Sequence, residues 1–284
     1  MRPLSVSMLS SYLYCRRKLF LQYVLKLTEP DKSALVKGSV RHETYEGINE
    51  IDKYLVEGIQ KGESFEDIQK RLLNAYSGIL RKRISKNLKR LRSVEIDPIG
   101  LYKNTLPYFE KESMLRTEHL FKFINRYNLY GAELWEKLVP KIHSEIRITS
   151  ERYGIRGIVD RIEEYPEGFV PVELKTGKAP REGAWPGHRI QLGAYALLME
   201  EYYGKEIKEG FIHYLDNDEK VHIDINPFFR EEIKELKEKV RALVNSREIP
   251  EIECNKNKCM KCGLREQCFD EKLLKFRLNQ LKNK

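Results

Sequence analysis

The chain has 284 residues, of which 52 are Lys or Arg and 43 are Asp or Glu, so its net charge is +9. This length suffices for one large domain or two small ones, and the basic balance favours a polyanionic partner such as nucleic acid over none. No segment approaches the roughly 18 consecutive apolar residues of a membrane span. Because the first residues also lack a secretory pattern, we expect a cytoplasmic protein without a membrane partner.

The first half of the chain is predicted to be helical. Apolar residues recur at helical spacing over 5–24, and Cys15 is expected inside this amphipathic helix. A capping box of Ser64 and Asp67 begins a further long helical stretch. Within that stretch, Pro107 is expected to start a new turn or helix.

The second half changes to strand periodicity. Side chains alternate in character over 141–148, 154–165 and 168–176, which predicts three strands. A helix follows over 188–204, then two short strands and a helix with Asn226 as its cap. This order of elements places the chain in the α/β class.

The third predicted strand carries an acid and a base on one face. Glu173 and Lys175 are two residues apart, so their side chains point the same way. If the second and third strands are neighbours, Asp160 joins them at one end of a sheet. Two adjacent carboxylates repel each other unless a divalent cation such as Mg²⁺ or Mn²⁺ holds them, and that arrangement suits phosphodiester hydrolysis. The alternative is a surface ion pair of little energetic weight.

Two helices offer further polar side chains for this site. Gln191 and Tyr195 are four residues apart on one helix face, so they could reach back to Lys175 or to a DNA phosphate. His42 lies in a helix predicted over 38–58 and could add a neutral imidazole ligand to the same metal. The alternative for all three is an ordinary structural role.

The cysteines are concentrated near the carboxyl end. Cys259, Cys262 and Cys268 have the C-x-x-C-x(5)-C spacing of a metal site. A fourth ligand could be Cys254, which closes the shorter loop, or Cys15 from the other end of the chain. Zinc and an iron–sulphur cluster both remain open on spacing alone.

Three motifs together resemble a known family. "GIVDRIE", "VELKTGK" and "QLGAY", in this order, resemble the RecB-type branch of the PD-(D/E)xK nucleases, although Val159 stands where that family has proline. The resemblance implies a restriction-endonuclease-like core, with a mixed central sheet flanked by helices. It also implies a catalytic set of Asp160, Glu173, Lys175, Gln191 and Tyr195. The metal ligands it implies are His42, Asp160, Glu173 and the carbonyl of Leu174.

The cysteine pattern narrows this resemblance. The opening "LSSYLYCRR" with three carboxyl-terminal cysteines is similar to the CRISPR-associated Cas-four exonuclease family. The helical block over roughly 60–135 resembles the longer archaeal variant of that family. The similarity in the cysteines implies a [4Fe–4S] cluster on Cys15, Cys259, Cys262 and Cys268, with Cys254 left spare. It further implies a DNA exonuclease that acts on single strands or DNA ends and trims fragments for the CRISPR integrase complex.

We expect four segments along the chain. Residues 1–59 hold the first cluster cysteine and His42, 60–135 form a helical insertion, 136–250 form the nuclease core, and 251–284 carry the cysteine cluster and tail. The basic run "RKRISKNLKRLR" lies in the insertion and is either a solvated face or a contact for DNA phosphates. The predicted contacts are Arg81, Lys82, Arg83, Lys86, Lys89 and Arg90.

Two other functions are compatible with these residues. A general DNA repair or recombination nuclease would use the same carboxylates and lysine. A non-catalytic iron–sulphur protein that binds DNA beside the integrase complex would keep the cluster and the basic helices but would need no metal on Asp160 for turnover.

Overall fold

The computed structural model describes residues 2–253 and 255–282. These residues form two compact units. The first unit consists of the chain up to Pro30, Arg147–Val159 and everything from Val170 onward, and the second consists of Asp31–Ile146 and Asp160–Phe169. Throughout the described ranges, every helix is either too short or too polar to cross a membrane.

Helices and strands follow one another largely as the periodicity predicts. The helices are α1 (Val6–Tyr14), α2 (Arg16–Tyr23), α3 (Ser33–Glu57), α4 (Phe65–Lys86), α5 (Leu88–Ser93), α6 (Pro98–Tyr127), α7 (Gly131–Lys137), α8 (Pro186–Tyr203), α9 (Pro227–Asn245), α10 (Lys256–Lys261), α11 (Arg265–Phe269) and α12 (Glu271–Lys282). The strands are β1 (Leu4–Ser5), β2 (Lys141–Ser150), β3 (Ile155–Glu164), β4 (Phe169–Lys175), β5 (Glu209–Tyr214) and β6 (Glu219–Asp224).

The strands form one mixed sheet. Their order in the described chain is β1-β3-β4-β5-β6, with β2 paired to β3. β1 is parallel to β3 and β4 is parallel to β5, whereas β6 runs antiparallel to β5. The predicted neighbours β3 and β4 are therefore adjacent, and the mixed sheet with its helices confirms the α/β class. Residues 141–146 of β2 and 160–164 of β3 belong to the second unit.

Helix α8 is the central helix of the first unit. It packs against α1, α9 and β5, and this explains why apolar side chains are buried around most of its circumference. The helix ends at Gly204, whose left-handed backbone (φ 65°) is the stop that the sequence predicted. The predicted cap of α9 is also confirmed, because the side chain of Asn226 accepts a hydrogen bond from the backbone N–H of Phe229 at 2.9 Å.

The second unit is mainly helical. α4 packs on α3 and α6, and α3 also packs on α7. The predicted capping box is present, since the hydroxyl of Ser64 accepts from the backbone N–H of Asp67 at 3.1 Å and the Asp67 carboxylate accepts from the backbone N–H of Ser64 at 3.2 Å. A buried ion pair between Arg116 and Asp52 joins α6 to α3.

Two local predictions were wrong. The amino-terminal helix is broken at Cys15, whose extended backbone (φ −168°, ψ 116°) separates α1 from α2. Pro107 does not start an element but lies inside α6, which instead begins at Pro98 after its cap Asp97. Pro98 removes no intrahelical hydrogen bond, because the first N–H groups of a helix have no intrahelical partner.

Gly193 marks a close approach between α8 and α9. A Cβ added there would lie 2.5 Å from Cδ1 of Ile233 and 2.7 Å from the ring of Phe229. We therefore expect Gly193→Ala to lower the free energy of unfolding by about 1–3 kcal/mol, measured by urea unfolding. Gly78→Ala in α4 is the matched control, because nothing lies within 4 Å of its added Cβ. This control should gain about 0.5–1 kcal/mol, and equal losses in both variants would contradict the packing argument.

Candidate active site

A group of three potential metal ligands lies in the second unit. His42 of α3, Glu145 of β2 and Asp160 of β3 each present one ligand atom, and these atoms all lie within 4.8 Å of one another. Nδ1 of His42 is 3.8 Å from Oδ2 of Asp160, and both side chains are partly buried. Two ligands of a cation bound at about 2.1 Å can be no more than about 4.2 Å apart, so this separation fits a shared Mg²⁺ or Mn²⁺.

Glu145 was missed by the sequence reasoning. The signal was available, because Glu145 lies on the strand before β3 and on the polar face opposite the isoleucines. Its backbone, however, has φ 54°, a left-handed conformation that costs a non-glycine residue about 1–3 kcal/mol. Burial alternates strictly only after this point in β2. A simple period-of-two pattern therefore could not place the Glu145 carboxylate.

The predicted acid and base of β4 lie in the first unit and form an ion pair. The Glu173 carboxylate is 1% exposed, and Lys175 is 20% exposed. Since neighbouring residues Pro171, Val172 and Leu174 are buried as well, this end of β4 is covered on both faces. The pair is therefore not the surface ion pair considered above.

Gln191 and Tyr195 extend the hydrogen-bond network of the lysine. Nζ of Lys175 donates to Oε1 of Gln191 at 3.0 Å, and Nε2 of Gln191 donates to the hydroxyl of Tyr195 at 2.9 Å. The ring of Tyr195 is buried against Gly157, where an added Cβ would lie 2.6 Å from its Cε1 atom. A buried tyrosine thus fixes the glutamine, and the glutamine fixes the ammonium group.

A neutral histidine lies close to this network. Nδ1 of His188 is 3.1 Å from the hydroxyl of Tyr214, and Tyr214 is the register partner of Lys175 across β4 and β5. Burial, and then the positive charge of Lys175, lowers the pKa of His188 to about 4. Burial also raises the pKa of Tyr214, so both side chains are uncharged near neutral pH.

Four cysteines line one cavity of the first unit. Cys15 lies between α1 and α2, and the other three come from the carboxyl-terminal helices α10 and α11 and the turn after α10. The four lining cysteines are Cys15, Cys259, Cys262 and Cys268. Soft thiolates are the ligands of iron–sulphur clusters and of zinc, so this lining fits a metal cofactor. Cys254, the alternative ligand, lies outside the described residues.

Polar contacts join the two ends of the chain beside this cavity. Nε of Arg17 donates to Sγ of Cys268 at 3.2 Å, and its two terminal nitrogens donate to the carbonyls of Pro250 and Cys268 at 2.7 and 3.0 Å. The hydroxyl of Tyr14 donates to the carbonyl of Lys258, whose Nζ donates back to the carbonyl of Tyr14. Cys268 is therefore held by contacts of its own, and the residue before Cys15 is hydrogen-bonded to the residue before Cys259.

The basic run occupies the end of α4 and α5 in the second unit. Half of its predicted DNA contacts are paired with acids, namely Lys86 with Glu43 at 3.2 Å, Arg90 with Asp31 at 3.3 Å and Arg83 with Glu50 at 3.5 Å. Arg81, Lys82 and Lys89 are exposed. Exposed ion pairs are weak, so a phosphate could compete with them, and DNA contact by this run stays a prediction.

Comparison with known proteins identifies one family over most of the chain. The sequence profile of the PD-(D/E)XK nuclease superfamily matches residues 3–269. This range includes the motifs around Asp160, Glu173 and Gln191, and it includes the four cysteines that line the cavity.

Individual relatives match about half of the chain. A CRISPR-associated exonuclease Cas4/endonuclease Cas1 fusion from Leptospira interrogans is 34% identical over 50% of this chain and 28% of its own length. A CRISPR-associated exonuclease Cas4 from Francisella tularensis is 30% identical over 45% of this chain and 63% of its own. The DNA replication ATP-dependent helicase/nuclease JHS1 of Arabidopsis thaliana is 26% identical over 49% of this chain and 12% of its own length. The chain thus spans less than two thirds of each of these relatives.

The neutral state of His188 predicts a pH dependence of stability. As the pH falls from about 6.5, the ordinary pKa of histidine, towards the His188 pKa of about 4, the unfolded chain takes up a proton that the folded chain refuses. The neutral imidazole therefore contributes to the free energy of unfolding above this pH window, and that contribution is lost as the pH falls through it. His188→Asn removes the titration and keeps a polar group near Tyr214. Urea unfolding should show a steeper loss for the wild type over this window, and parallel profiles would contradict the assignment.

Proposed function

This chain belongs to the PD-(D/E)XK nuclease superfamily, as its motifs predicted, and we propose that it is a metal-dependent deoxyribonuclease. We infer that it hydrolyses phosphodiesters of single-stranded DNA, chiefly from an end. The observation that carries this proposal is the group of His42, Glu145 and Asp160, whose ligand atoms all lie within 4.8 Å of one another. Two carboxylates at such a distance repel each other unless a cation neutralises them.

The proposed metal is Mg²⁺ or Mn²⁺. Carboxylate oxygens are hard ligands that suit both ions, and imidazole is compatible with the second. His42, Glu145 and Asp160 would hold it. The family motif further implies Glu173 and the carbonyl of Leu174 as ligands. When bound, such an ion polarises a phosphoryl oxygen and stabilises the charge that develops on it.

The proposed role of Lys175 is to orient the attacking water and to offset the negative charge that develops on the phosphate. Its ammonium is held between the Glu173 carboxylate and Oε1 of Gln191, so its position is set before substrate arrives. A preorganised charge needs little reorganisation at the moment of reaction. Gln191 and Tyr195 act as positioning residues in this proposal, because they reach the reacting atoms through the lysine.

We further propose that the cysteine-lined cavity holds a [4Fe–4S] cluster. Cys15, Cys259, Cys262 and Cys268 supply four thiolates from the two ends of the chain, which is the ligand number of this cluster type. Cluster binding would stabilise the junction of the two segments that carry these cysteines, since metal binding that requires a folded site stabilises the folded state. The role of the cluster is structural, because no step of hydrolysis uses its electrons.

The proposed setting is CRISPR adaptation. The Leptospira relative joins an exonuclease Cas4 to an endonuclease Cas1 in one polypeptide, and a similar fusion occurs in Myxococcus xanthus. These fusions support an association of this chain with the integrase complex, for which it would trim DNA ends before integration. That role places the chain in the cytoplasm. Similarity to a plant helicase/nuclease favours general DNA repair as the second candidate.

The metal site makes a prediction that separates binding from turnover. Asp160→Asn and Glu145→Gln should each weaken Mn²⁺ binding at least about tenfold, because even residues that only support ligands contribute that much. Lys175→Ala should keep Mn²⁺ binding and reduce hydrolysis of end-labelled single-stranded DNA by about 10²- to 10³-fold. Calorimetry measures the Mn²⁺ affinity, and the amount of labelled product formed per unit time measures the rate of hydrolysis.

The matched control for the carboxylate variants is Glu167→Gln, an exposed acid of the same unit, and it should change neither quantity. Hydrolysis that persists in the Asp160 and Lys175 variants would assign the activity to another site or to a contaminant. Cluster-loaded wild type that binds DNA but never cleaves it would leave only the binding-partner function.

The cluster makes a prediction that is independent of activity. Protein prepared without oxygen should be brown and should contain iron and acid-labile sulphide. Cys15→Ser should lose most of both, because a cluster with one ligand missing is exposed to solvent and to loss of iron. Cys254→Ser should keep both. The reverse result would make Cys254 the fourth ligand in place of Cys15.

A further inference from the structure

The segment that joins β4 to α8 ends at an exposed tryptophan. Trp185 is the residue before α8, and 49% of its surface is accessible to solvent. Trp185 therefore presents a large aromatic surface to solvent at the start of α8.

The ring of Trp185 is held in place by its polar groups. Its indole Nε1 donates to the carbonyl of Lys178 at 3.1 Å, and its backbone N–H donates to the hydroxyl of Tyr214 at 3.1 Å. The backbone N–H groups of His188 and Arg189 donate to its carbonyl at 2.9 and 3.0 Å. With its indole N–H satisfied inside the protein, the ring has only π surface left to offer a ligand.

These contacts also tie the tryptophan to the proposed catalytic lysine. Tyr214, which accepts from Trp185, is the register partner of Lys175 across the parallel strands β4 and β5. The backbone N–H of Leu215 donates to the carbonyl of Lys175 at 2.8 Å. Nδ1 of His188 lies 3.1 Å from the same tyrosine hydroxyl. The backbone of Trp185 is thus hydrogen-bonded to the side chain of the residue that lies beside Lys175 in the sheet.

The segment before the tryptophan carries positive charge. Lys178 and Arg181 are both exposed on it. A flat aromatic surface beside exposed cations is the combination that proteins use for single-stranded nucleic acid, with the cations near phosphates and the ring against a base. Stacking on a base inside a duplex first requires that base to be unstacked, which costs free energy, so such a surface favours unpaired strands.

We propose that Trp185 is a substrate-binding residue whose indole stacks on an unpaired base of the DNA strand engaged at the Lys175 site. This inference rests on the proposed nuclease function and adds a reason for its preference for single strands. Lys178 and Arg181 contact the phosphates that flank the stacked base.

The test uses tryptophan fluorescence without hydrolysis. The chain has two tryptophans, so Trp135→Phe leaves Trp185 as the sole emitter. In metal-free buffer, a thymidine oligonucleotide should quench this emission, whereas an oligonucleotide of the same length built from abasic sites should bind without quenching it. Quenching of equal size by both oligonucleotides would overturn the stacking assignment.

Affinity measurements on the two-tryptophan protein complete the test. Trp185→Ala should bind the thymidine oligonucleotide roughly 5- to 100-fold more weakly, the range expected for one stacked base, and Trp185→Phe should recover most of the loss. Affinity for the abasic oligonucleotide should not change. Tyr202→Ala, which removes a 60% exposed aromatic near the other end of α8, is the matched control and should bind like wild type.

The outcomes distinguish this inference from the function it rests on. If wild type cleaves DNA and Trp185→Ala binds the thymidine oligonucleotide with unchanged affinity, stacking is refuted and the nuclease function stands. If cluster-loaded wild type neither binds nor cleaves single-stranded DNA, both are refuted. Quenching by thymidine bases together with the loss in Trp185→Ala supports the stacking assignment even where the cleavage rate is low.

Discussion

A buried carboxylate is the constraint on which the lysine site depends. Glu173 is 1% exposed, and an ionised carboxylate taken out of water must be matched by a partner. Lys175 supplies that match, and the lysine is in turn held by Gln191, which is held by Tyr195. The chain of contacts ends at Gly157, where the absence of a side chain admits the tyrosine ring. One buried charge thus determines the residue types at four further positions.

The three candidate metal ligands are assembled in a different way. His42 comes from a helix that is far in sequence from the two consecutive strands that carry Glu145 and Asp160, and Glu145 has a left-handed backbone. Folding energy therefore has to offset both local strain and carboxylate repulsion at this point. A cation would relieve the repulsion, which gives the site a physical reason to bind one.

The two ends of the chain are joined beside the cysteine-lined cavity by contacts that need no metal. Arg17 bridges to the segment around Cys268, and Tyr14 exchanges hydrogen bonds with Lys258. A small apolar cluster, Phe20, Leu21, Leu25, Leu27, Leu264 and Leu274, supports the same junction. These contacts hold the thiols at one cavity without a metal, so a cofactor that bound there would have less ordering to impose.

The sequence by itself determined the family, the α/β class and the side chains that share a face over short spans. Glu173 with Lys175, and Gln191 with Tyr195, could be paired because strand and helix periods fix the direction of residues two or four apart. Features that depend on contacts between distant segments were decided only by the tertiary structure. Among these are the carboxylate of Glu145 and the helix break at Cys15.

Long-range packing likewise decided how polar groups are used. The run from Arg81 to Arg90 reads as free positive charge, yet acids from distant segments neutralise part of it. Trp185 is apolar, yet Tyr214 and Lys178 hold it with about half of its surface accessible to solvent. Periodicity describes where a side chain points along its own element. Which groups it meets there is set by segments whose approach is a property of the whole fold.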